Sequence, residues 1–514
     1  MTKSKSNILK LCVFATGLSG VVAEYILATL ATYFLGDSVV QWALIISVML
    51  FSMGLGSRIS KIFRTNLLTT FIAIEFTLSL FVAFSSLMTY TTAAFTQYTG
   101  LIVYSLSIII GTLIGMEIPL VIRLNKEFES LRINVASVME KDYYGSLLGG
   151  IFFVFIGLPY LGLTYTPFVL GSVNFSVALI LFITTSNTLT KKRKLFAWGA
   201  SILVAALLVF GSFMAKPIIM FGEQAKYKDK VVFSQQSRYQ KIVITQWKKD
   251  YWLFIDGNMQ LSTMDEALYH EPLVHPAVYI ARRPKNVLVM GGGDGCAVRE
   301  LLKYNFIEKI TVCDLDPKMT DLARFNPIIR KLNKNSMNSP KVKIVNLDGF
   351  KFISESNQIF DLIVIDLPDP RSVELSRLYS VEFYGLCRHS LGVNGALVTH
   401  ATSPYYAPLA FRCIEKTVRA AGFNVLPIHN QVLSMGEWGW VIGSPTLTKE
   451  EMKQSLSSAK FDKIETKWLN NDGMKMMMYF GKDFYNKSGD STRINKMNDP
   501  VLYRYYLSSN WDTY

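Results

Sequence analysis

The chain lacks the marks of a metalloprotein, a disulfide-stapled domain or a nucleic-acid binder. Its 514 residues include five cysteines. Cys12, Cys296, Cys313, Cys387 and Cys413 show no close metal-ligand spacing and no disulfide framework. Cys296 and Cys313 fall near predicted strand ends, where buried thiols are common. No Gly-Lys-Ser/Thr follows the glycine run, which disfavours a phosphate-binding loop. The net charge is +14, yet no compact Arg/Lys patch with interleaved aromatics stands out, so nucleic acid is not expected as a partner. Charged residues make up only 18% of the chain and apolar residues 50%. The apolar excess sits at the front, where the first long stretch has no clear small-residue cleavage site and so does not read as a signal peptide.

What that front half holds is seven apolar stretches of membrane-helix length, near 8–34, 38–57, 67–90, 98–122, 143–163, 166–187 and 195–215. Basic residues gather before the first (Lys3, Lys5, Lys10), after the second (Arg58, Lys61, Arg64), after the fourth (Arg123, Lys126, Arg132, Lys141) and after the sixth (Lys191 to Lys194). The loops between, 36–39, 91–97 and 163–165, carry none. The positive-inside rule places the N-terminus in the cytoplasm of a multi-pass protein of the cell membrane, a bacterial inner membrane being the expected one. Seven crossings put the C-terminal half on the other face; six, with the first or last segment re-entrant or interfacial, keep it on the cytoplasmic face. Glu24, Glu75 and Glu117 lie inside the spans. They read either as bundle-interior acids, with Glu117 near the interface by Pro119 and Arg123, or as a polyamine path through the helices.

Residues 216–230 read as a short charged connector, which places a membrane domain at 1–222. A small β-subdomain, 223–265, is indicated by strands over 241–246 and 251–255 and by the turn signals Lys248-Lys-Asp250 and Asp256-Gly257-Asn258. A helical pattern covers 265–280. Alternating strands and helices to about 445 predict a Rossmann-like, doubly wound parallel sheet over 266–445. A polar extension, 446–514, is expected to pack on it.

The strongest local signal is Val287-Leu-Val-Met-Gly-Gly-Gly-Asp-Gly295. A buried parallel strand reads as a continuous apolar run, and a Gly-rich turn into a helix lets backbone approach a ligand closely. Acids end the following apolar runs at Asp314, Asp348 and Asp366. Carboxyl ends of parallel strands are where open α/β sheets bind ligands, and Asp294 within the loop would repel a pyrophosphate. A nucleoside carrying positive charge fits these acids.

Gly291-Gly-Gly-Asp-Gly295, Asp314, Asp348-Gly349 and Asp366-Leu-Pro-Asp-Pro370 together resemble the ordered motifs of the polyamine aminopropyltransferase (spermidine synthase) family. Asp256-Gly257, Gln260, Asp265-Glu266 and Tyr269-His270-Glu271 are similar to its β-subdomain and entry helix, and Tyr239-Gln240 to its early nucleoside-binding Gln. The membrane half, Gly436-Glu-Trp-Gly-Trp440 and Asp499-Pro-Val-Leu-Tyr503 resemble its bacterial branch with an N-terminal multi-span region. Two departures stand out. After Asp369-Pro370 the chain runs Arg371-Ser372-Val373, without the second proline that borders the adenine pocket, and the usual ribose Glu is Asp314. The late Tyr that helps hold the diamine has no clear match, and His429 lies nearby.

The resemblance implies an SN2 transfer of an aminopropyl group from decarboxylated S-adenosylmethionine, a co-substrate, to putrescine or a similar diamine. Spermidine and methylthioadenosine would form, with neither metal nor bound cofactor. Asp366 is the candidate base, with Asp369 beside it to raise its pKa and bind the ammonium. Tyr269, His270, Asp294 and Asp369 are assigned to the amine; Gln240, Gly291, Gly293, Asp314, Asp348 and Gly349 are assigned to the nucleoside. Each acid has a bland alternative. Asp294 and Asp348 can be turn residues, Asp314 a helix cap (for which Asp316 is better placed) and Asp366 a turn cap. A methyltransferase using intact S-adenosylmethionine and a non-catalytic polyamine sensor or transporter are the competing functions. Other partners are the lipid bilayer and, with no residue pointing either way, a second copy in a homo-oligomer.

Overall fold

The computed structural model describes residues 3–36, 38–96, 98–126, 130–482, 484 and 492–511. The chain divides into two compact units, one ending at Lys241 and the other starting at Ile242. This division falls inside the 223–265 segment.

The first unit is built from α1 (Lys3–Leu35), α2 (Ser38–Ile59), α3 (Leu67–Phe95), α4 (Thr99–Asn125), α5 (Leu131–Phe152), α6 (Gly162–Thr185) and α7 (Lys191–Lys226), followed by β1 (Lys230–Gln236). Six stretches are long and apolar enough to cross a membrane, with Leu131–Thr188 taken as one. That stretch is two arms. A π-helical segment, Phe153–Leu161, follows α5, and Gly162 then leaves helical space at φ 64° and ψ −172°. Thr166 Oγ1 donates to the Gly157 carbonyl at 2.9 Å. Continuous helix would hold those residues about 13 Å apart, so the chain doubles back. Seven helices therefore stand where seven apolar stretches were read. The connector expected at 216–230 is instead helical as far as Lys226, because its apolar residues continue the pattern through Pro217. Missing side chains let the helices close up: a Cβ on Gly115 would lie 2.0 Å from the Met53 carbonyl oxygen, and one on Gly145 2.1 Å from that of Phe14.

In the second unit β2 (Lys241–Trp247), β3 (Asp250–Ile255) and β4 (Asn258–Ser262) form an antiparallel meander. The β3–β4 turn places Asp256 and Gly257 at φ 48° and 80°, the double left-handed conformation of a tight hairpin that the Asp-Gly pair signals. Helix α8 (Ala267–Ile280) tolerates Pro272 and Pro276. Pro272 leaves the Leu268 carbonyl without its helical donor, and Asn430 Nδ2 supplies one at 2.8 Å.

The main sheet contains β5 (Asn286–Gly291), β6 (Lys309–Cys313), β7 (Val342–Val345), β8 (Phe360–Asp366), β9 (Leu391–His400), β10 (Asn424–Val432) and β11 (Gly436–Ser444) in the order β10-β11-β9-β8-β5-β6-β7. Strands β5 to β9 are parallel, as expected of a Rossmann-like domain. The wholly parallel sheet is corrected at its edge, where β11 runs antiparallel to β10 and β9. Only residues 433–435 separate β10 from β11, enough for a hairpin but not for a crossover. Val287 to Met290 and Leu362 to Ile365 are fully buried, the environment that continuous apolar runs require. Strand order reverses at β5 and β8, opening a crevice beyond their carboxyl ends. Val501, Leu502 and Tyr506 of the C-terminal extension join the core on one sheet face.

Candidate functional site

The glycine loop is tied directly to the end of β8. Gly291 stands opposite Asp366 in register, and the Gly292 N–H donates to the Asp366 carbonyl at 2.9 Å. Gly291 has φ 75°, and a Cβ there would sit 2.1 Å from that carbonyl oxygen. Only glycine fits. Gly295, also left-handed, opens the short helix α9 (Cys296–Leu301). Asp294 Oδ1 accepts from Cys296 N at 2.7 Å, so Asp294 takes part in the turn beside its flanking glycines.

Beyond β6, the two acids separate as their spacing indicated. Asp316 caps α10 (Pro317–Phe325) by accepting from Lys318 N at 3.0 Å. Asp314 Oδ1 accepts from Asp316 N at 2.9 Å. A Cβ on Gly293 would lie 2.4 Å from Asp314 Oδ2, so the loop and the acid form one cradle. Burial lifts Asp314 to about 7, helped by the charges of Asp316 and Asp294 and opposed by the Asp316 and Gly293 N–H groups. Asp348 is a helix cap: Oδ1 accepts from Lys351 N at 3.0 Å and Oδ2 pairs with Arg377. Gly349 begins the capped helix next to Met290.

Acid–base groups converge where α8 crosses the crevice. Tyr269 OH donates to Asp366 Oδ1 at 2.8 Å. His270 is buried, with Nδ1 3.1 Å from Glu266 Oε2 and Nε2 3.9 Å from Asp294 Oδ1. Arg299 holds Glu266 from the other side at 3.0 and 2.7 Å. Burial alone would neutralise His270, but the Glu266 bond and the Asp294, Glu266 and Asp366 charges carry it to about 9. Burial likewise disfavours the Glu266 charge, and the His270 and Arg299 bonds bring it down to about 2. Glu271 faces away. Its carboxylate accepts from Lys467, Trp468 and Leu469 N at 2.6, 3.0 and 2.8 Å, anchoring the C-terminal extension.

Asp366 and Asp369 have opposite environments. Burial raises Asp366; its chief like-charge neighbour is Asp294, while His270, Tyr269 and His400 hold the shift back. This corrects the expectation that Asp369 raises it. Burial would raise Asp369 too, but His400, Arg371 and Tyr506 outweigh it and leave it below the usual range. Tyr506 OH donates to Asp369 Oδ2 at 2.9 Å, Arg371 lies 3.4 Å from the same oxygen and His400 Nε2 3.3 Å from Oδ1. Asp369 is thus already supplied with cation and donors.

The site therefore gathers Tyr269, His270, Asp294, Gly291, Gly293, Asp314 and Asp366, with Asp369 and Asp348–Gly349 at its borders. Gln240 belongs to the first unit, where its N–H donates to Ser237 Oγ at 2.9 Å. His429 is taken up by Glu437 and the Tyr479 carbonyl. Arg299, Arg377, His400 and Tyr506 hold the site residues in place without having been singled out, and Glu266 and Arg371, named only within motifs, do so too. Only the Glu266–His270 pair had a local signal, its four-residue spacing. His270, Asp294 and Asp366 bring ligand atoms within 4.8 Å of one another.

An acid-lined crevice at the switch point of a Rossmann-like sheet defines a site for a positively charged substrate. Residues 266–485 match the spermine/spermidine synthase domain. The chain is 39% identical to a polyamine aminopropyltransferase 2 of Aquifex aeolicus over 98% of its own length and 99% of that protein's. It is 37% identical to a polyamine aminopropyltransferase of Leptospira interrogans, covering 95% of each. To one of Oceanobacillus iheyensis it is 36% identical, covering 99% of this chain and 97% of that one. The chain belongs to the polyamine aminopropyltransferase family. It is a transferase of the spermidine synthase type.

Proposed function

We propose that this protein is a membrane-embedded enzyme that moves the aminopropyl group of decarboxylated S-adenosylmethionine to putrescine, releasing spermidine and methylthioadenosine. The observation that carries the reading is Asp366. It closes β8 at the switch point, is positioned by Tyr269 and is raised by burial and by Asp294. A base with a raised pKa is matched to taking a proton from an ammonium near neutral pH. The freed amine attacks the carbon beside the sulfonium, a bond to that carbon forms, and the carbon–sulfur bond breaks with its electrons passing to sulfur. The sulfonium is its own leaving group, so no cofactor or metal is called for. Asp314 and Gly293 cradle the nucleoside, Asp314 accepting from the ribose. Gly291, Asp348 and Gly349 complete that side. Asp294 attracts the aminopropyl ammonium. His270, as a cation, cannot bind an ammonium directly; its part is to hold Asp294 and temper Asp366. Asp369 reaches the far ammonium only in competition with Arg371.

Membrane insertion is supported by the apolar helices and by basic residues confined to alternate loops. The test is product analysis of the purified full chain with decarboxylated and intact S-adenosylmethionine and a series of diamines. Spermidine and methylthioadenosine from the decarboxylated donor are expected. A methylated amine from the intact donor, with no triamine, would refute the assignment.

A further inference from the structure

The helical unit holds two acids that the transfer reaction does not use. Glu75 on α3 and Glu117 on α4 are each 1% exposed. Thr16 of α1 donates to Glu75 Oε1 at 3.4 Å, a long bond. Neither oxygen of Glu117 meets a partner at normal hydrogen-bond distance among the described residues, and Thr16 is the one hydroxyl that acts on it. Cys12 of α1 and Asp142 of α5 are the other titratable groups acting on them. No Lys or Arg among the described residues forms an ion pair with either acid. Asp142 is only partly buried, and its Oδ1 would lie 3.0 Å from a Cβ on Gly17, one residue along from Thr16.

Glu223, in the same unit, shows how a structural acid is treated. It is 2% exposed and fully engaged, by Tyr33 at 3.1 Å, Ser234 at 2.7 Å and Lys241 at 3.1 Å. Glu75 and Glu117 lack all of that. A bare carboxylate in an apolar interior costs far more than folding can supply, so the charge must be met by something that arrives.

Its depth and access follow from the helices. Glu75 is eight residues from the start of α3 and Glu117 eight from the end of α4, each about 12 Å along its helix. Those two ends lie together, because Arg123 donates to the Phe63 and Ser60 carbonyls at 2.8 and 2.7 Å. Both acids therefore sit at one level, below the end rich in Arg58, Lys61, Arg64, Arg123 and Lys126. Glu24, partly exposed on α1, is separate.

We propose that Glu75 and Glu117 form an exchangeable binding site for a single small positive charge, a proton or an alkali-metal ion. The helical unit is then an ion-binding module rather than a passive anchor. The site is independent of the transfer chemistry proposed above.

The test uses the full chain in liposomes and dicyclohexylcarbodiimide, an apolar reagent that modifies protonated carboxyls in hydrocarbon, with modified residues located by peptide mass spectrometry. Labelling is expected on Glu117 or Glu75, falling as pH rises. It should persist in Glu24→Gln and be lost in the double variant Glu75→Gln, Glu117→Gln. Sodium protection at constant pH would assign an alkali-metal ion that replaces the proton; absence of protection would assign the proton alone. Failure of both acids to label across acid and neutral pH in the native chain would overturn the proposal, and that result requires no variant to fold. So would labelling that does not change with pH, since it would mark a sealed acid that exchanges nothing.

Discussion

At the scale of single residues, Asp366 and Asp369 show how identical side chains acquire different duties. Burial and Asp294 raise the first, whereas His400, Arg371 and Tyr506 hold the second down. Asp366→Asn should lower kcat by roughly 10²–10⁴-fold, the usual worth of a positioned base. Methylthioadenosine binding should survive, since Asp314 and the glycine loop remain. Because Asp366 must be ionised to act, the acid limb of kcat should lie above the ordinary carboxylate range, and the variant should regain rate at high pH, where more amine arrives neutral. Near-normal turnover of the variant at neutral pH would leave Asp366 a turn residue. Arg371→Met should lower the diamine KM with little change in kcat, because it frees Asp369 for an ammonium. An unchanged or higher KM would show that Asp369 does not meet the amine.

At the scale of elements, the loop after β5 and the first turns of α8 set the site. Gly293→Ala would put a methyl group 2.4 Å from Asp314 Oδ2 and force the acid aside. Losing a hydrogen bond to a charged group costs about 1.5–3 kcal/mol. Methylthioadenosine affinity should therefore fall roughly ten- to a hundredfold, measurable by calorimetry, while Gly349→Ala, with 3.4 Å of clearance, should fall less.

On α8, the Glu266–His270 pair makes stability depend on pH. His270 rises from 6.5 to about 9 in the folded chain, so its contribution is complete below 6.5 and lost as pH climbs through 9. Glu266 drops from 4.5 to about 2, so its share is present above 4.5 and lost as pH falls through 2. The melting temperature should thus decline between pH 6.5 and 9, and His270→Gln should flatten that limb. An equal slope in wild type and variant would assign the decline to other groups.

At the scale of the whole molecule, the proposed membrane insertion makes sidedness depend on the count of helices that cross. The reversal at Gly162 turns six apolar stretches into seven arms. With basic loops on the cytoplasmic side, a reporter fused after Tyr514 should read on the opposite face, and one inserted at 63–66 in the cytoplasm. A cytoplasmic signal from both would mean that one arm does not cross, with α7, basic at both ends, the first to suspect.

The sequence by itself determined the parts whose signal is local. Seven apolar stretches became seven helices because span length is a property of contiguous residues. The Asp256-Gly257 hairpin, the buried strands β5 and β8, the Asp316 cap and the glycine loop followed from turn chemistry and apolar runs. The acids at strand ends were legible for the same reason. Tertiary structure decided what depends on residues far apart in the chain. Tyr506 reaches Asp369 across 137 positions, and Asn430 repairs the carbonyl that Pro272 exposes from 162 positions away. The same holds for the antiparallel edge of the sheet, the direction Glu271 faces and the sparsely partnered carboxylates of Glu75 and Glu117. Sequence specifies which groups carry charge; only packing determines which of them is left without a partner, because that depends on every neighbour the fold brings in.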